Sequence, residues 1–570
     1  MKRFGSLIAL TATLLMLGAC GKLDERQQRF DTLLAASSAQ IRSLGGPTNS
    51  PDAEHSLRAR AISTQFWPEE LRRPKAPEWM MVKNTVILDP QRQATTDAAP
   101  EEQKPLETVI EELQAFRLVI QRERLLSGAT RLTVQRPVYQ PAPLLFRQKL
   151  LVRRSTLSPC DNVRIGLTAS NVDEATFLSC LIAYFEQAAP QYSVSPDYML
   201  SPAQSDAQAV KAPAASRFWA HTPYEMNNPD AAVIALVDTG MGLDTKQMGG
   251  FDFVSDPLAA GDGDGIDANP QDVGDLCDPN NALQKDSLHG PALAGLISQA
   301  PNRSGALRAI LMGAKLMPVR VSGRCGARLS DALNGLAWSS GMAPVLLPEE
   351  TSFRNETPAD LILFAFSAPG QCPPALQSLV RKLHAEGRTM IVPAGNHGAP
   401  ASGFFPANCE DVIAVAASDR AGHLTAYSNY GPEIDVIAPG GDLAADLDED
   451  GWPDGIIVPA KASNCRDPIS GASVEKCRLA LAEGTSLAAL RVTAELTKQL
   501  DQPASNESVS EIIRRIGASV EKTQCRGPCP ETRNGTPIEG MPGQCHRPCG
   551  TRQITASSPL TSSSAFMGVR

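Results

Sequence analysis

Hydrophobic residues in the second half of the chain form short continuous runs that each end at a polar or small residue. Apolar runs of this length, rich in Val, Ile, Leu and Ala, are typical of buried parallel strands. Helical patterns such as GPALAGLISQA and PALQSLVRKLHAEG lie between them. This alternation predicts an α/β domain with a doubly wound, mostly parallel sheet. The predicted strands are AAVIALVDTG (231–240), AKLMPVRV (314–321), ADLILFAF (359–366), TMIVPAGN (389–396) and DVIAVAAS (411–418).

The chain begins with a pattern typical of a secretory signal. Lys2 and Arg3 precede an apolar run that ends at Leu17 and is too short to span a bilayer. The Leu-Gly-Ala-Cys sequence that follows resembles the lipobox of bacterial lipoproteins, which implies cleavage before Cys20 and lipid on its thiol. An ordinary signal with an incidental cysteine is the alternative. Gly21, rather than Asp, stands after the cysteine, and by the same resemblance this favours the outer membrane of a Gram-negative envelope.

Between the signal and the α/β domain the patterns are weaker. Helical spacing at 23–44 and 106–126, with a Pro- and charge-rich stretch between them, predicts a spacer. A strand at 145–154, a helix at 173–188 and a strand at 191–200 predict a small α+β module. The predicted segments are a signal peptide (1–19), a lipid-anchored helical and linker region (20–130), the α+β module (131–200), an Ala/Ser/Pro-rich linker open to processing (201–216), the main domain (217–556) and a C-terminal tail (557–570).

Composition narrows the classes of partner. The net charge is −9 over 570 residues, and the chain has no basic patch of the kind that nucleic acids require. Thirteen cysteines leave twelve if Cys20 carries lipid. An even number in an exported chain favours disulfides, although CRGPC and CHRPC near the C terminus also fit zinc ligands.

Four residues at the predicted strand ends and helix starts are those that acyl transfer requires. Asp238 ends VIALVD, His289 opens a helix in LHGPALAG, Asn396 ends VPAGN and Ser486 opens a helix in GTSLAAL. Serine is a nucleophile only when a base takes its proton, and histidine does this when a buried carboxylate orients it. An asparagine amide can stabilise the oxyanion. GTS before an apolar helix is also a common N-cap, so Ser486 alone decides nothing.

The order Asp, His, Asn, Ser resembles that of the subtilisin-like serine proteases, the subtilases. VIALVDTGM, HGPALAG, VPAGN and GTSLAAL are similar to the four motifs of the family, and the segments between them resemble one secreted bacterial branch. The resemblance covers about 217–556. It implies a triad of Asp238, His289 and Ser486, an oxyanion hole at Asn396, and a protein or peptide as substrate, cleaved at internal bonds.

The resemblance also gives the module at 131–200 a role. In position and outline it resembles the subtilase propeptide, which is a folding chaperone and inhibitor whose tail lies in the active-site cleft. The peptidase domain is therefore expected to bind the chain's own propeptide. The expected lipid is attached on the propeptide side of the processing region. We expect a membrane-tethered zymogen that processing can release.

The segment that lines the substrate cleft departs from the family pattern. It reads LILFAFSAPG, with Leu363, Ala365 and Ser367 where the family usually has Asn, Ser and Gly. Ala365, Phe366 and Ser367 are the expected substrate-binding residues. Ser367 in place of glycine is expected to crowd the wall of the cleft, and Phe364 and Phe366 to add bulk. The alternative function is therefore a catalytically silent binding or inhibitory module with the same fold.

Two acidic loops and the cysteines complete the set of candidate sites. Acidic residues alternate in DLDEDGWPDGI in a way that suits structural calcium: Asp446, Asp448, Asp450 and Asp454. The loop at 261–272 is similarly acidic, and a solvated surface loop is the alternative for both. No cofactor is expected for catalysis. By position in the resembled fold, the expected disulfides are Cys160–Cys180, Cys277–Cys325, Cys372–Cys409 and Cys465–Cys477, with the last four cysteines paired among themselves.

Overall fold

The structure is a computed structural model of the 570-residue chain. It describes residues 81–90, 104–115, 118–135, 174–202, 208–210, 224–226, 231–242, 248–276, 286–297, 310–346, 352–447, 449, 451–466, 473–501 and 552–553. The predicted signal with Cys20, the predicted helix at 23–44, the predicted strand at 145–154 and the last four cysteines lie outside these residues.

The secondary-structure elements are numbered here along the described part of the chain. The strands are β1 Met81–Pro90, β2 Val119–Arg124, β3 Thr130–Gln135, β4 Tyr192–Pro202, β5 Gln208–Val210, β6 Tyr224–Glu225, β7 Val233–Asp238, β8 Phe251–Asp252, β9 Leu311–Met312, β10 Lys315–Arg320, β11 Ser322–Gly323, β12 Gly326–Arg328, β13 Val345–Leu346, β14 Ser352–Phe353, β15 Leu361–Phe364, β16 Phe366–Pro369, β17 Thr389–Pro393, β18 Phe404–Phe405, β19 Val412–Ser418, β20 Val436–Pro439, β21 Ile456–Arg466, β22 Ser473–Ala482 and β23 Arg552–Gln553. The helices are α1 Leu106–Ala115, α2 Glu174–Ala188, α3 Pro257–Ala260, α4 His289–Ile297, α5 Leu329–Ser339, α6 Pro374–Ala385 and α7 Thr485–Leu500, with a short 3₁₀ turn at Ala401–Gly403.

A parallel sheet forms the centre of the main domain. Its strand order is β23-β20-β19-β17-β15-β7-β10-β8, and each neighbouring pair is parallel. The five apolar runs that predicted strands all lie in this sheet, as β7, β10, β15, β17 and β19. The order reverses direction along the sheet, as it does in doubly wound folds. The predicted fold class is confirmed.

The two faces of the sheet are covered by different helices. Alternate residues of a strand point to opposite faces, and in β7 Ala235 packs in a core with Leu333 of α5 and Leu379 of α6. Its neighbour Leu236 packs in a second core with residues of α4 and α7, including Leu490. Because both faces are buried, the central strands are apolar at consecutive positions, with polar residues mainly at their ends, which explains the continuous runs in the sequence.

The N-terminal module contributes four antiparallel strands to a second sheet. Its strand order is β2-β3-β1-β4, with α1 and α2 as crossovers, so it is a split βαβ arrangement. Its own core contains Val86, Leu113 and Phe177. The expected start of the module at residue 131 is wrong, because β1 and β2 lie on the other side of that boundary and pair with β3. The expected helix at 106–126 ends at Ala115, since the following residues pair with β3 as a strand.

The module packs on two helices of the main domain. Leu125 and Leu200 of the module lie in the core that contains α5 and α6. The backbone N–H of Leu126 donates to Asn334 Oδ1 of α5 at 2.8 Å. Lys382 Nζ of α6 donates to the carbonyl oxygen of Ser127 at 2.9 Å. The apolar face of the module therefore packs on the main domain, and its β2–β3 turn is hydrogen-bonded to α5 and α6.

The end of β4 enters a groove between two strands of the main domain. On one side Leu200 pairs with Ala327 of β12, and on the other side Ser201 pairs with Ser367 of β16, both antiparallel. Part of the expected linker at 201–216 thus lies in strands. Its first two residues belong to β4, and 208–210 form β5, which pairs with β22.

The cysteines give a mixed outcome. Cys372 and Cys409 form the expected disulfide, with a Cα–Cα distance of 5.1 Å. Cys180 and Cys325 are each disulfide-bonded, and their expected partners lie outside the described residues. The expected Cys465–Cys477 pair is wrong. Cys477 pairs with Ala462 in the β21–β22 ladder, so the two cysteines are three positions apart along the hairpin, roughly 10 Å, which exceeds the reach of a disulfide.

Of the helices within the described ranges, none combines the length and the apolar character that crossing a bilayer requires.

Candidate active site

A carboxylate and an imidazole meet at the end of β7. Asp238 is the last residue of that strand and is completely buried. His289 begins α4, and its Nδ1 lies 2.9 Å from both carboxylate oxygens of Asp238. The backbone N–H of Thr239 also donates to Asp238 Oδ1, at 2.7 Å. A carboxylate on this side assigns the proton to Nδ1 and leaves Nε2 as the basic nitrogen of the ring.

A close backbone approach sets the position of His289. A Cβ atom at Gly290 would lie 2.1 Å from the carbonyl oxygen of Gly240, so only glycine lets α4 come this near to the loop after β7. The N–H of Gly290 donates to Thr239 Oγ1 at 3.0 Å, and that hydroxyl donates to Asp272 at 2.6 Å. The glycine after the histidine therefore has a packing reason, and Asp272 is a supporting residue that sequence reasoning missed.

Ser486 lies at the start of α7, in the second helical position. Its hydroxyl donates to the carbonyl oxygen of Ala365 at 3.5 Å, and only 1% of the residue is exposed. The N-cap position is held by Gly484, without a side-chain cap. The N-cap interpretation of Ser486 is thus wrong by two positions. The hydroxyl still lies in the positive potential of a helix N terminus, which favours a developing negative charge.

Asn396 follows β17 and is oriented by the residue before the serine. Its Oδ1 accepts from the N–H of Thr485 at 2.9 Å and from the hydroxyl of Thr485 at 2.7 Å. Thr485 Oγ1 in turn accepts from the N–H of Gly395 at 3.1 Å. With Oδ1 held on this side, the amide N–H₂ of Asn396 is directed to the other. Thr485 was missed in the sequence, although it lies inside the GTS motif.

The cleft segment differs from the sequence expectation in where its aromatic rings lie. Phe364 and Phe366 are fully buried and pack on each other, with ring centroids 5.4 Å apart. Their bulk fills the core rather than the cleft, because each belongs to the core under the sheet. Ser367 lies beside Gly395, the residue before Asn396. Its hydroxyl would lie 2.9 Å from a Cβ at Gly395, is buried, and has no hydrogen-bond partner among the described residues.

The acidic loops do not assemble a metal site in the described part of the chain, which contains no group of three candidate ligands. Asp446 accepts from the N–H of Gly451 at 3.0 Å, and Asp454 accepts from the N–H of Leu447 at 2.7 Å. Arg420 also lies 3.6 Å from Asp454. Each of these two carboxylates therefore has a partner within the protein, and the calcium expectation for this loop stays a prediction. Asp448 and Asp450 lie outside the described residues.

The second acidic loop is organised by an arginine. The guanidinium of Arg320 is fully buried and donates to Asp252 and, at 2.8 Å, to Asp262. A cation of the protein itself therefore neutralises Asp262, one of the acidic residues of this loop.

The arrangement has the order and residue types of one protease class, and comparison with known proteins agrees. Residues 230–518, just over half of the chain, match the sequence model of the Subtilase family. The chain belongs to the subtilase family.

Two of the relatives are named as extracellular proteases. The chain is 31% identical to an extracellular protease of Xanthomonas campestris pv. campestris, over 58% of this chain and 51% of that one. It is also 31% identical to an extracellular basic protease of Dichelobacter nodosus, over 38% of this chain and 37% of that one. The chain thus spans about half, or less, of the length of these relatives. A solved protease of Pseudoalteromonas arctica is 28% identical, covers 53% of this chain and 89% of its own, and has a TM-score of 0.43.

Proposed function

We propose that the chain is a serine endopeptidase that is made as a zymogen. The observation that carries this proposal is the contact of His289 Nδ1 with Asp238 at the end of β7. Asn396, which follows β17 of the same sheet, is hydrogen-bonded to Thr485, the residue before Ser486. Subtilases need no cofactor for catalysis, so the four side chains are a sufficient set.

In the proposed reaction His289 Nε2 accepts the hydroxyl proton of Ser486 as Oγ attacks the carbonyl carbon of the substrate. Asp238 stabilises the imidazolium, and the amide of Asn396 donates to the oxyanion. The tetrahedral intermediate collapses, the C–N bond breaks, and the leaving amine takes the proton from His289. Water then adds to the acyl-enzyme by the same route, which releases the acid and restores the serine.

The substrate is proposed to bind as an extended strand between β12 and β16. The end of β4 already pairs with both strands, which supports a groove for a polypeptide backbone rather than for a small molecule. The same pairing supports the module as an inhibitory propeptide, since its tail occupies the place a substrate needs. The bonds that follow Pro202 are the proposed processing region.

A fluorophosphonate probe tests the catalytic proposal, because it reacts only with an activated serine. We expect labelling of the processed wild type and none of Ser486→Ala. In His289→Ala labelling should slow at least about 100-fold, since general-base catalysis contributes that much. His423→Ala is a matched control, because His423 also contacts a carboxylate, that of Asp419, but on the surface. A processed form that does not label would support the silent binding module instead.

We further propose that the protein is exported and is anchored in the outer membrane of the cell envelope through lipid on Cys20. Processing then releases the peptidase. The extracellular relatives support export. Labelled palmitate should enter the wild type and not Cys20→Ala. N-terminal sequencing of the soluble form should start between residues 203 and 216. Full-length protein found only in membranes, identical in wild type and Ser486→Ala, contradicts release.

A further inference from the structure

One stretch of the chain pairs with the main domain on both sides of the catalytic serine. Its first part, the end of β4, lies between β12 and β16. Its second part, β5, pairs antiparallel with β22 through three positions: Gln208 with Leu481, Ala209 with Ala480, and Val210 with Leu479. Only residues 203–207 separate the two parts in the sequence.

The direction of the chain assigns the two parts to opposite sides of the bond that is cleaved. Pro202 pairs with Phe366, and the preceding residue on that side, Ala365, has its carbonyl oxygen 3.5 Å from Ser486 Oγ. Because the pairing is antiparallel, the chain moves toward the serine as it passes Pro202. Residues up to 202 therefore belong to the acyl side, and β5 belongs to the leaving-group side.

The strand that β5 pairs with is rigidly placed. β22 is paired along its other edge with β21, Val458 opposite Ala480. Val458, Ala480 and Leu481 are buried in the core that also contains the helix α7. β22 ends at Ala482, four residues before Ser486. Its edge at 479–481 is thus a strand edge that is packed in the core and lies a few residues before the catalytic serine in the sequence.

We propose that the 479–481 edge of β22 is a leaving-side subsite that binds an extended polypeptide by strand addition, six to eight residues beyond the position of Pro202. Its first occupant is the chain's own β5 during processing, and in the processed enzyme it binds the downstream part of a polypeptide substrate. Backbone hydrogen bonds supply the binding. This inference rests on the proposed function, since it needs a cleavage reaction to act on.

Processing of the full chain tests the subsite. Successive N–H groups of a strand point to opposite sides, so of two neighbouring residues in β5 only one donates toward β22. Proline removes the N–H and is tolerated at an edge only where that group faces away. We expect one of Ala209→Pro and Val210→Pro to slow processing about tenfold and the other less than twofold, on the scale of one or two lost backbone hydrogen bonds. Ala215→Pro, outside β5, is the matched control.

The folding of each variant is checked in the Ser486→Ala background, where melting temperatures should stay near that of the parent because β5 contributes only three residues. Equal processing rates in all variants, or equal slowing in both proline variants of β5, overturn the proposal. If the wild type is neither processed nor labelled by the fluorophosphonate probe, the proposed function fails instead.

Peptides test the subsite in the processed enzyme. Two quenched fluorogenic peptides carry the chain's own sequence, one from 195 to 206 and one from 195 to 214. The enzyme carries the proline that slowed processing, so that its own segment does not compete. We expect kcat/KM to be about tenfold higher for the longer peptide. Cleavage of both peptides with equal kcat/KM refutes the subsite while it leaves the protease function intact.

Discussion

The contact between Asp197 of β4 and the first turn of α5 lets the docking of the module be tested at one side chain. The carboxylate is fully buried and accepts from the N–H of Ser330 at 2.9 Å and from its hydroxyl at 2.8 Å. The N-cap of α5 is Arg328, which makes no side-chain cap. Arg131 of the module donates to the hydroxyl of Ser330 at 2.9 Å. The module therefore caps a helix of the main domain.

The expected effect of Asp197→Ala follows from what the carboxylate leaves behind. Loss of an N-cap acceptor costs about 0.5–2 kcal/mol, and a buried donor without a partner costs about 1–3 kcal/mol. These describe the same N–H of Ser330, so they are not added. Burial raises the pKa of Asp197, so removing the carboxylate also relieves some desolvation. We expect a net loss of about 2 kcal/mol, which is roughly 30-fold in the docking equilibrium.

Asp197→Asn is the matched control, because an amide oxygen keeps the shape and one acceptor. Since the raised pKa shows that burial disfavours the charged form, losing the charge should matter less than losing the acceptor. We expect the docking equilibrium of this variant to change less than about fivefold, on the scale of one weakened hydrogen bond.

Amide hydrogen exchange in the Ser486→Ala chain, which cannot process itself, measures the effect. The peptide that covers the start of α5 should exchange about 30-fold faster in Asp197→Ala than in the parent. Protection should change little in α7, which lies on the other face of the sheet. Unchanged protection of α5 in Asp197→Ala, or an equal effect of Asp197→Asn, would refute the capping argument.

Three further predictions follow from the site and the interface. Thr485→Val should lower kcat about tenfold with little change in KM, since only the orientation of Asn396 in the transition state is weakened. A rise in KM as large as the fall in kcat contradicts this prediction. Ser367→Gly should raise kcat/KM selectively for peptides with larger residues before the scissile bond, because it removes the hydroxyl beside the cleft; an unchanged ranking across a peptide series contradicts it. Burial raises the pKa of Asp331 to about 7 from 3.8, so the folded chain binds an extra proton between these values. Stability should therefore fall as pH rises from about 4 to 7, by at most about 1.4 kcal/mol per pH unit. Asp331→Asn, measured by melting temperature in the Ser486→Ala background, should flatten this dependence, and an unchanged slope would show that another group titrates.

Much of the main domain could be predicted from the sequence, because its signals are local. A strand buried on both faces is apolar at consecutive positions, so β7, β10, β15, β17 and β19 can be recognised in the sequence as continuous apolar runs. The residues of the candidate site stand at the ends of these runs and in short motifs. Gly290 beside His289 follows the same logic, because a backbone contact there leaves no room for any other residue.

The errors lie where partners distant in the sequence decide the outcome. Residues 119–124 follow a helical pattern, yet they pair with β3 as a strand, and the module therefore starts at β1 rather than at 131. Cys465 and Cys477 are near in sequence, but the register of their hairpin separates them. The direction of the rings of Phe364 and Phe366 depends on which face of the strand meets the core.

The sequence by itself therefore determined the class of the main domain, five of the eight strands of its parallel sheet and the identities of the four candidate catalytic residues. Only the tertiary structure decided how the rest of the chain is used. It showed that Asp197 caps α5, that Arg320 pairs with Asp262 of the 261–272 loop, and that β5 lies along β22. The physical reason is range: apolar runs and motifs are read within a few residues, whereas capping, buried ion pairs and strand register arise between segments that meet only in the folded chain.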